Sequence, residues 1–144
     1  MSAPTAPGAA EPDTKLDITF PARVDRIAGV VDKVVALART LHGEPGKEQE
    51  LALALTEALA NAVKHGSKND PSREVRCQAF AESSTLTVVV SDSGAGFDPG
   101  SVANPLEYAG LTADHGRGLY MIRQLVDEVR FVRCGAEIRM IKRF

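Results

Sequence analysis

Glu57 and Asn61 stand one helical turn apart in the segment Glu57-Ala58-Leu59-Ala60-Asn61. A carboxylate and an amide oxygen spaced that way can face a hard cation or a phosphate-bound water, because magnesium takes oxygen ligands and keeps part of its water shell. Further along, Asp92 ends an apolar run and is followed by Gly94, Gly96, Phe97 and Asp98. A partly buried carboxylate needs a donor, and an adenine amino group is a good candidate. The two glycines clear side chains from where a base must approach the backbone, and Phe97 offers apolar surface. A third stretch, Gly116-Arg117-Gly118-Leu119, reads as the opening of a helix, where free N–H groups and the helix dipole favour phosphate and Arg117 adds charge. Each stretch alone has a plainer explanation: a solvated helix strip, a hairpin turn whose Asp caps its own backbone, a glycine hinge before an ordinary helix. Together, in this order, they describe a nucleotide pocket.

The elements that carry these residues follow from hydrophobic periodicity. Leu16, Ile18 and Phe20 alternate with Asp17 and Thr19, which predicts a half-buried strand stopped by Pro21 and placed at a sheet edge. Apolar residues at spacings of three and four from Val24 to Leu41 predict an amphipathic helix, ended by Gly43-Glu44-Pro45-Gly46. A second helix is expected from Lys47 to His65, with Leu51, Leu55, Ala58, Leu59, Ala62 and Val63 on one stripe and Gly66 as a left-handed cap. At about 100° per residue, Glu57, Asn61, Lys64 and His65 share a polar strip bordering that stripe.

Strands at Glu74 to Ala81 and Leu86 to Ser91, joined through Glu82-Ser83-Ser84-Thr85, predict an antiparallel hairpin whose second strand is central. Residues 98 to 115 form a long loop, with the glycine pair closing it like a lid over a triphosphate. A third helix, Gly118 to Leu125, and a closing hairpin, Val129 to Arg133 with Ala136 to Ile141, complete the chain. Helices and strands in clusters predict an α+β two-layer sandwich: a mixed, mainly antiparallel sheet of about five strands covered on one face by three helices.

Of the 144 residues, 44% are hydrophobic, enough for one domain with a real core. Residues 1 to 14 are rich in Ala and Pro and are expected to be a flexible tail, leaving residues 15 to 144 as the domain. With 17 basic and 19 acidic side chains the net charge is -2, which argues against direct nucleic-acid or membrane partners. Cys77 and Cys134 lack metal-ligand spacing, no secretion signal is visible, and no apolar run approaches a spanning helix, so a reduced cytoplasm is the expected setting. His42 and His115 are not spaced with His65 as a metal site.

The three stretches resemble the N, G1 and G2 boxes of the ATPase superfamily shared by gyrase, the heat-shock chaperone Hsp90 and histidine kinases, whose shared architecture is the Bergerat ATP-binding fold. More closely, Glu57-Ala58-x-x-Asn61-Ala62-x-x-His65-Gly66, Asp92-x-Gly94-x-Gly96-Phe97-Asp98 and Gly116-Arg117-Gly118-Leu119 look like the bacterial anti-sigma factor serine/threonine kinases, over essentially residues 16 to 144.

That resemblance implies an ATP- and magnesium-dependent protein kinase that sequesters a sigma factor and phosphorylates an anti-anti-sigma antagonist of the STAS type, switching partners with the antagonist's phosphorylation state. It implies that Asn61 holds magnesium and Asp92 the adenine amino group. Gly94, Gly96, Gly116 and Gly118 would shape the base and phosphate sites, beside Phe97 and Leu119, with His65 and Arg117 also matching the pattern. Glu57 would accept the proton of the substrate hydroxyl. The same resemblance implies a homodimer, with the first strand and neighbouring surface as interface. Two other readings remain: a non-catalytic nucleotide-dependent binding module, against which Glu57 weighs, and an orphan histidine kinase-type catalytic domain, against which stands the lack of a helix pair carrying a phosphoacceptor His before the first strand.

Overall fold

The structure is a computed structural model, and it describes residues 14–92, 113–132 and 136–144. Its elements in chain order are β1 (Thr14–Pro21), a 3-10 turn (Val24–Arg26), α1 (Ile27–Arg39), α2 (Lys47–Asn61), a π-helical turn (Ala62–Gly66), β2 (Glu74–Glu82), β3 (Thr85–Asp92), α3 (Ala113–Leu125), β4 (Glu128–Val132) and β5 (Glu137–Arg143). The expected tail falls outside the described residues except for Thr14, which already belongs to β1.

The five strands form one sheet in the order β1-β2-β3-β5-β4, and all four pairings are antiparallel, so the sheet expected to be mainly antiparallel is antiparallel throughout its described part. β1 is an edge and β3 the centre, as the alternation in one and the apolar run in the other required. Successive side chains point to opposite faces. Val75, Cys77, Ala79 and Ala81 of β2 and Leu86, Val88 and Val90 of β3 therefore turn to the helical side, where they join Val34, Leu51, Leu55, Leu59, Leu119 and Ile122 in one core. On the opposite face Arg76 holds Asp17 with two hydrogen bonds, Nε to Oδ1 at 2.9 Å and a terminal nitrogen to Oδ2 at 2.6 Å. These bonds, and then the guanidinium charge, draw the Asp17 carboxyl below its ordinary value. Cys77 lies under the helices, and burial, reinforced by the negative charge of Asp17, pushes its thiol up to about 12.

Three local differences from the sequence pattern matter for the site. The β2-β3 hairpin closes on two residues, with Glu82 opposite Thr85 and Ser83 at a φ of 54°. α2 ends at Asn61 and passes into the π turn, closed by Ser67 N–H to Ala62 O at 2.8 Å. The 100° projection therefore holds for Glu57 and Asn61 but not for Lys64 and His65, because a π turn takes an extra residue. Gly66 is not left-handed; that conformation falls to Lys68 and Asn69, each with φ 57°.

α2 and α3 run antiparallel. At the end remote from the π turn, Lys142 of β5, 5% exposed, donates from Nζ to Glu50 Oε1 at 2.8 Å and to the Leu125 carbonyl oxygen at 2.6 Å. The lysine thereby ties the start of α2 and the last carbonyl of α3 to the sheet. No helix among the described residues is long and apolar enough to cross a membrane.

Candidate nucleotide-binding site

The π turn joins the end of α2 to the end of β3. Gly66, its last residue, rests directly on the Asp92 carboxylate: a Cβ there would lie 2.7 Å from Oδ1 and closer still to the rest of the group. Glycine is needed at this position for close approach rather than for a turn. Asp92, on the helical side of β3, is half-buried, and its N–H donates to Ala136 O at 3.0 Å, which fixes the strand end beside the start of β5.

A second glycine joins α3 to α2. A Cβ on Gly118 would stand 2.7 Å from Glu57 Oε2 and 3.7 Å from Asn61 Nδ2. The side chains that share one strip of α2 are thus crossed by α3 at a residue without a side chain. Glu57 is half-buried; Asn61 is 8% exposed, and its Nδ2 has no hydrogen-bond partner. A buried amide with an unused donor is destabilising unless something else supplies the acceptor.

The glycine pair was expected to open the third helix. α3 instead begins at Ala113, so Gly116 and Gly118 lie inside it. A helical glycine costs only about 1 kcal/mol relative to alanine, and packing of α3 on α2 outweighs that. Gly118 accordingly contributes space rather than a free N–H. Leu119 is 1% exposed and belongs to the core, so its part is to seat α3. His65 is exposed on the π turn. Gly94, Gly96, Phe97 and the side chain of Arg117 lie outside the described residues, as does the loop expected over residues 98–115 except for its last three residues, which are helical.

The structure therefore brings Glu57, Asn61 and Gly118 together, and separately Gly66 and Asp92, with the π turn linking the two groups. Sequence reasoning missed two residues. Ser67 is fully buried with an unpartnered Oγ, and nothing in its type announces this. Lys142 could have been found, since it continues the buried alternation of Ile138 and Met140.

Set beside known proteins, residues 20–142 match the histidine kinase-like ATPase domain, and the chain belongs to that family. More particularly, it is similar to the serine-protein kinase RsbW of Bacillus thuringiensis (strain Al Hakam), 24% identical over 127 residues, with 82% of this chain and 77% of the relative covered. RsbW of Bacillus cereus (strain AH820) matches with the same values. Among solved structures, the RsbU and RsbW domains of Rv1364c from Mycobacterium tuberculosis share the fold, with a TM-score of 0.55, 19% identity and 91% of this chain covered. This chain spans only 31% of that longer one. The resemblance carried by the motifs and the α+β architecture they implied both hold.

Proposed function

We propose that the chain is an ATP-dependent anti-sigma factor and serine/threonine protein kinase, which binds a sigma factor and phosphorylates a STAS-type anti-anti-sigma antagonist. The observation that carries the reading is the meeting of Glu57, Asn61 and Gly118, where a glycine leaves room beside a carboxylate and a buried amide whose donor has no partner. The RsbW relatives, named as serine-protein kinases, support the same class of activity.

The donor set fits a magnesium-nucleotide. Asn61 offers an amide oxygen to the metal and an unused N–H to a phosphate or its water. Asp92 accepts the amino group of the base, and Gly66 keeps that carboxylate within reach of the π turn. Bound ATP supplies a transferable phosphoryl group whose charge the magnesium neutralises. Glu57, beside Asn61, accepts the proton of the incoming serine or threonine hydroxyl, and Gly118 allows the carboxylate to stay there. Antagonist and sigma factor as partners, a homodimer using the exposed edge strand β1, and action in the cytoplasm belong to the same proposal.

The test is labelled ATP with a STAS-domain antagonist. Acid-stable phosphate on serine or threonine is expected, abolished by Glu57→Ala with nucleotide affinity retained. Undiminished ATP binding without transfer identifies a regulatory binding module instead, and acid-labile phosphate identifies a histidine kinase-type domain.

A further inference from the structure

Among the described residues, the large apolar side chains left exposed are Val24, Leu53, Tyr120 and Met121, with Leu53 at 55% and Met121 at 36%. Single exposed apolar side chains are ordinary on a protein surface. Leu53 and Met121 are not scattered, because the contacts between α2 and α3 put them on one seam.

That seam is pinned at two points. Gly118 meets Glu57, and toward the start of α2 and the end of α3 the Lys142 ammonium bridges Glu50 and the Leu125 carbonyl. Leu53 and Met121 lie between the two points, each about one helical turn from the Glu57 and Gly118 contact. At about 100° per residue, Leu53 is turned about 40° from Glu57, on the side away from the buried Ala54 and Ala58. Met121 is turned about 60° from Gly118, on the side away from the buried Leu119 and Ile122. Both side chains therefore flank the outer edge of the seam.

Glu57 divides α2. The groups assigned above to the nucleotide, Asn61 and, across the π turn, Asp92, follow it, whereas Leu53 precedes it. In phosphoryl transfer the attacking and leaving oxygens stand roughly in line, so the acceptor approaches from the side remote from the nucleotide. A hydroxyl carried by another protein reaches a half-buried carboxylate between two helices only when its own chain lies across them. That chain therefore covers the seam on the Leu53 side.

We propose that Leu53 and Met121 are the apolar part of the docking surface for the phosphoacceptor protein. They receive one of its apolar side chains, about 6 Å from the serine or threonine hydroxyl, which matches the rise from Leu53 to Glu57. The matching residue stands two positions from the acceptor in an extended segment, or one turn away in a helix. This inference rests on the kinase reading given above.

The test is Leu53→Gln combined with Met121→Gln, which keeps good helix formers at both exposed positions. Phosphotransfer to a STAS-domain antagonist, calorimetric ATP affinity, melting temperature and mass in solution are measured on variant and parent. The KM for the antagonist should rise about tenfold, from the apolar burial lost on docking. The kcat at saturating antagonist should stay within about twofold, since the contact serves binding and not the transition state. ATP affinity, melting temperature and mass should be unaltered, and Leu53→Met with Met121→Leu should keep the parent KM. An unchanged antagonist KM in the glutamine variant overturns the proposal. So does a loss of ATP affinity, which would put the seam at the nucleotide, or a change of mass, which would make it a contact between copies of this chain. Melting several degrees lower overturns it too, by showing that the chain itself covers these side chains. If the parent binds ATP but transfers no phosphate to the antagonist, the kinase reading fails and this inference with it, an outcome seen without any variant.

Discussion

The two ends of the α2-α3 pair treat polar side chains in opposite ways. At one end Lys142 is buried with both acceptors in place, Glu50 and the Leu125 carbonyl. At the other, Glu57 and Asn61 meet a glycine, and the amide nitrogen of Asn61 has no partner. The first end is a clasp, complete in itself. The second leaves the Asn61 donor unmet, and under the proposed function a ligand that supplies its acceptor recovers the loss as binding energy. Stability and the proposed function are thus segregated along a single helix pair, within about three turns of α2.

The largest effect that would break this contrast is at Gly118. In Gly118→Ala the new Cβ stands 2.7 Å from Glu57 Oε2, and the carboxylate, at the end of a flexible side chain, must turn away. If Glu57 is the base of the proposed function, its displacement on the ångström scale reduces transfer by about a hundredfold, whereas alanine favours the helix by about 1 kcal/mol. Phosphotransfer should collapse without a fall in the melting temperature; lost stability with intact transfer would make the glycine part of the clasp. Lys142→Met should do the reverse. It leaves the part-buried Leu125 carbonyl without its donor, at about 1–3 kcal/mol, and urea unfolding should show that loss while calorimetric ATP affinity is unaltered.

Smaller effects sharpen the comparison. Gly29 lies in α1, away from both ends, with nothing within 4 Å of a Cβ placed there. Gly29→Ala should stabilise by about 0.5–1 kcal/mol in thermal or urea unfolding and leave kinase activity as it was. The least effect comes from exposed carboxylates. Asp17, held by Arg76, and Asp70, held by the hydroxyl and N–H of Ser72, both have carboxyls lowered from 3.8. Because the folded values are depressed, their contribution is present above that pH and is lost as the pH falls below it. Urea midpoints should decline there, and the decline should be smaller in Asp17→Asn.

The strands and helices were legible because alternation and the three-to-four spacing are local. β1 and β3 took the edge and central places their patterns demanded, and α1 and α2 buried the stripes expected of them. The start of α3 was not legible: its glycines read as a beginning, yet tertiary packing carries the helix back to Ala113. Gly66 was singled out for the wrong reason. A left-handed cap and a close approach both call for glycine, and only the position of Asp92, far along the chain, tells them apart. Ser67 was invisible because burial of a hydroxyl without a partner is a property of its surroundings.

By itself the sequence singled out the residues whose types could do the chemistry: a carboxylate and an amide one turn apart, an Asp at a strand end, and two glycine pairs. Spacing within an element settles that, since 3.6 and two residues per repeat are properties of the backbone alone. The tertiary structure decided that α3 crosses Glu57 and Asn61 at Gly118, that a π turn carries Gly66 onto Asp92, and that one end of the helix pair is clasped by Lys142 while at the other the buried Asn61 amide is left without a partner. Those are distances between segments far apart in the chain, and packing of the common core, which no local pattern encodes, sets them.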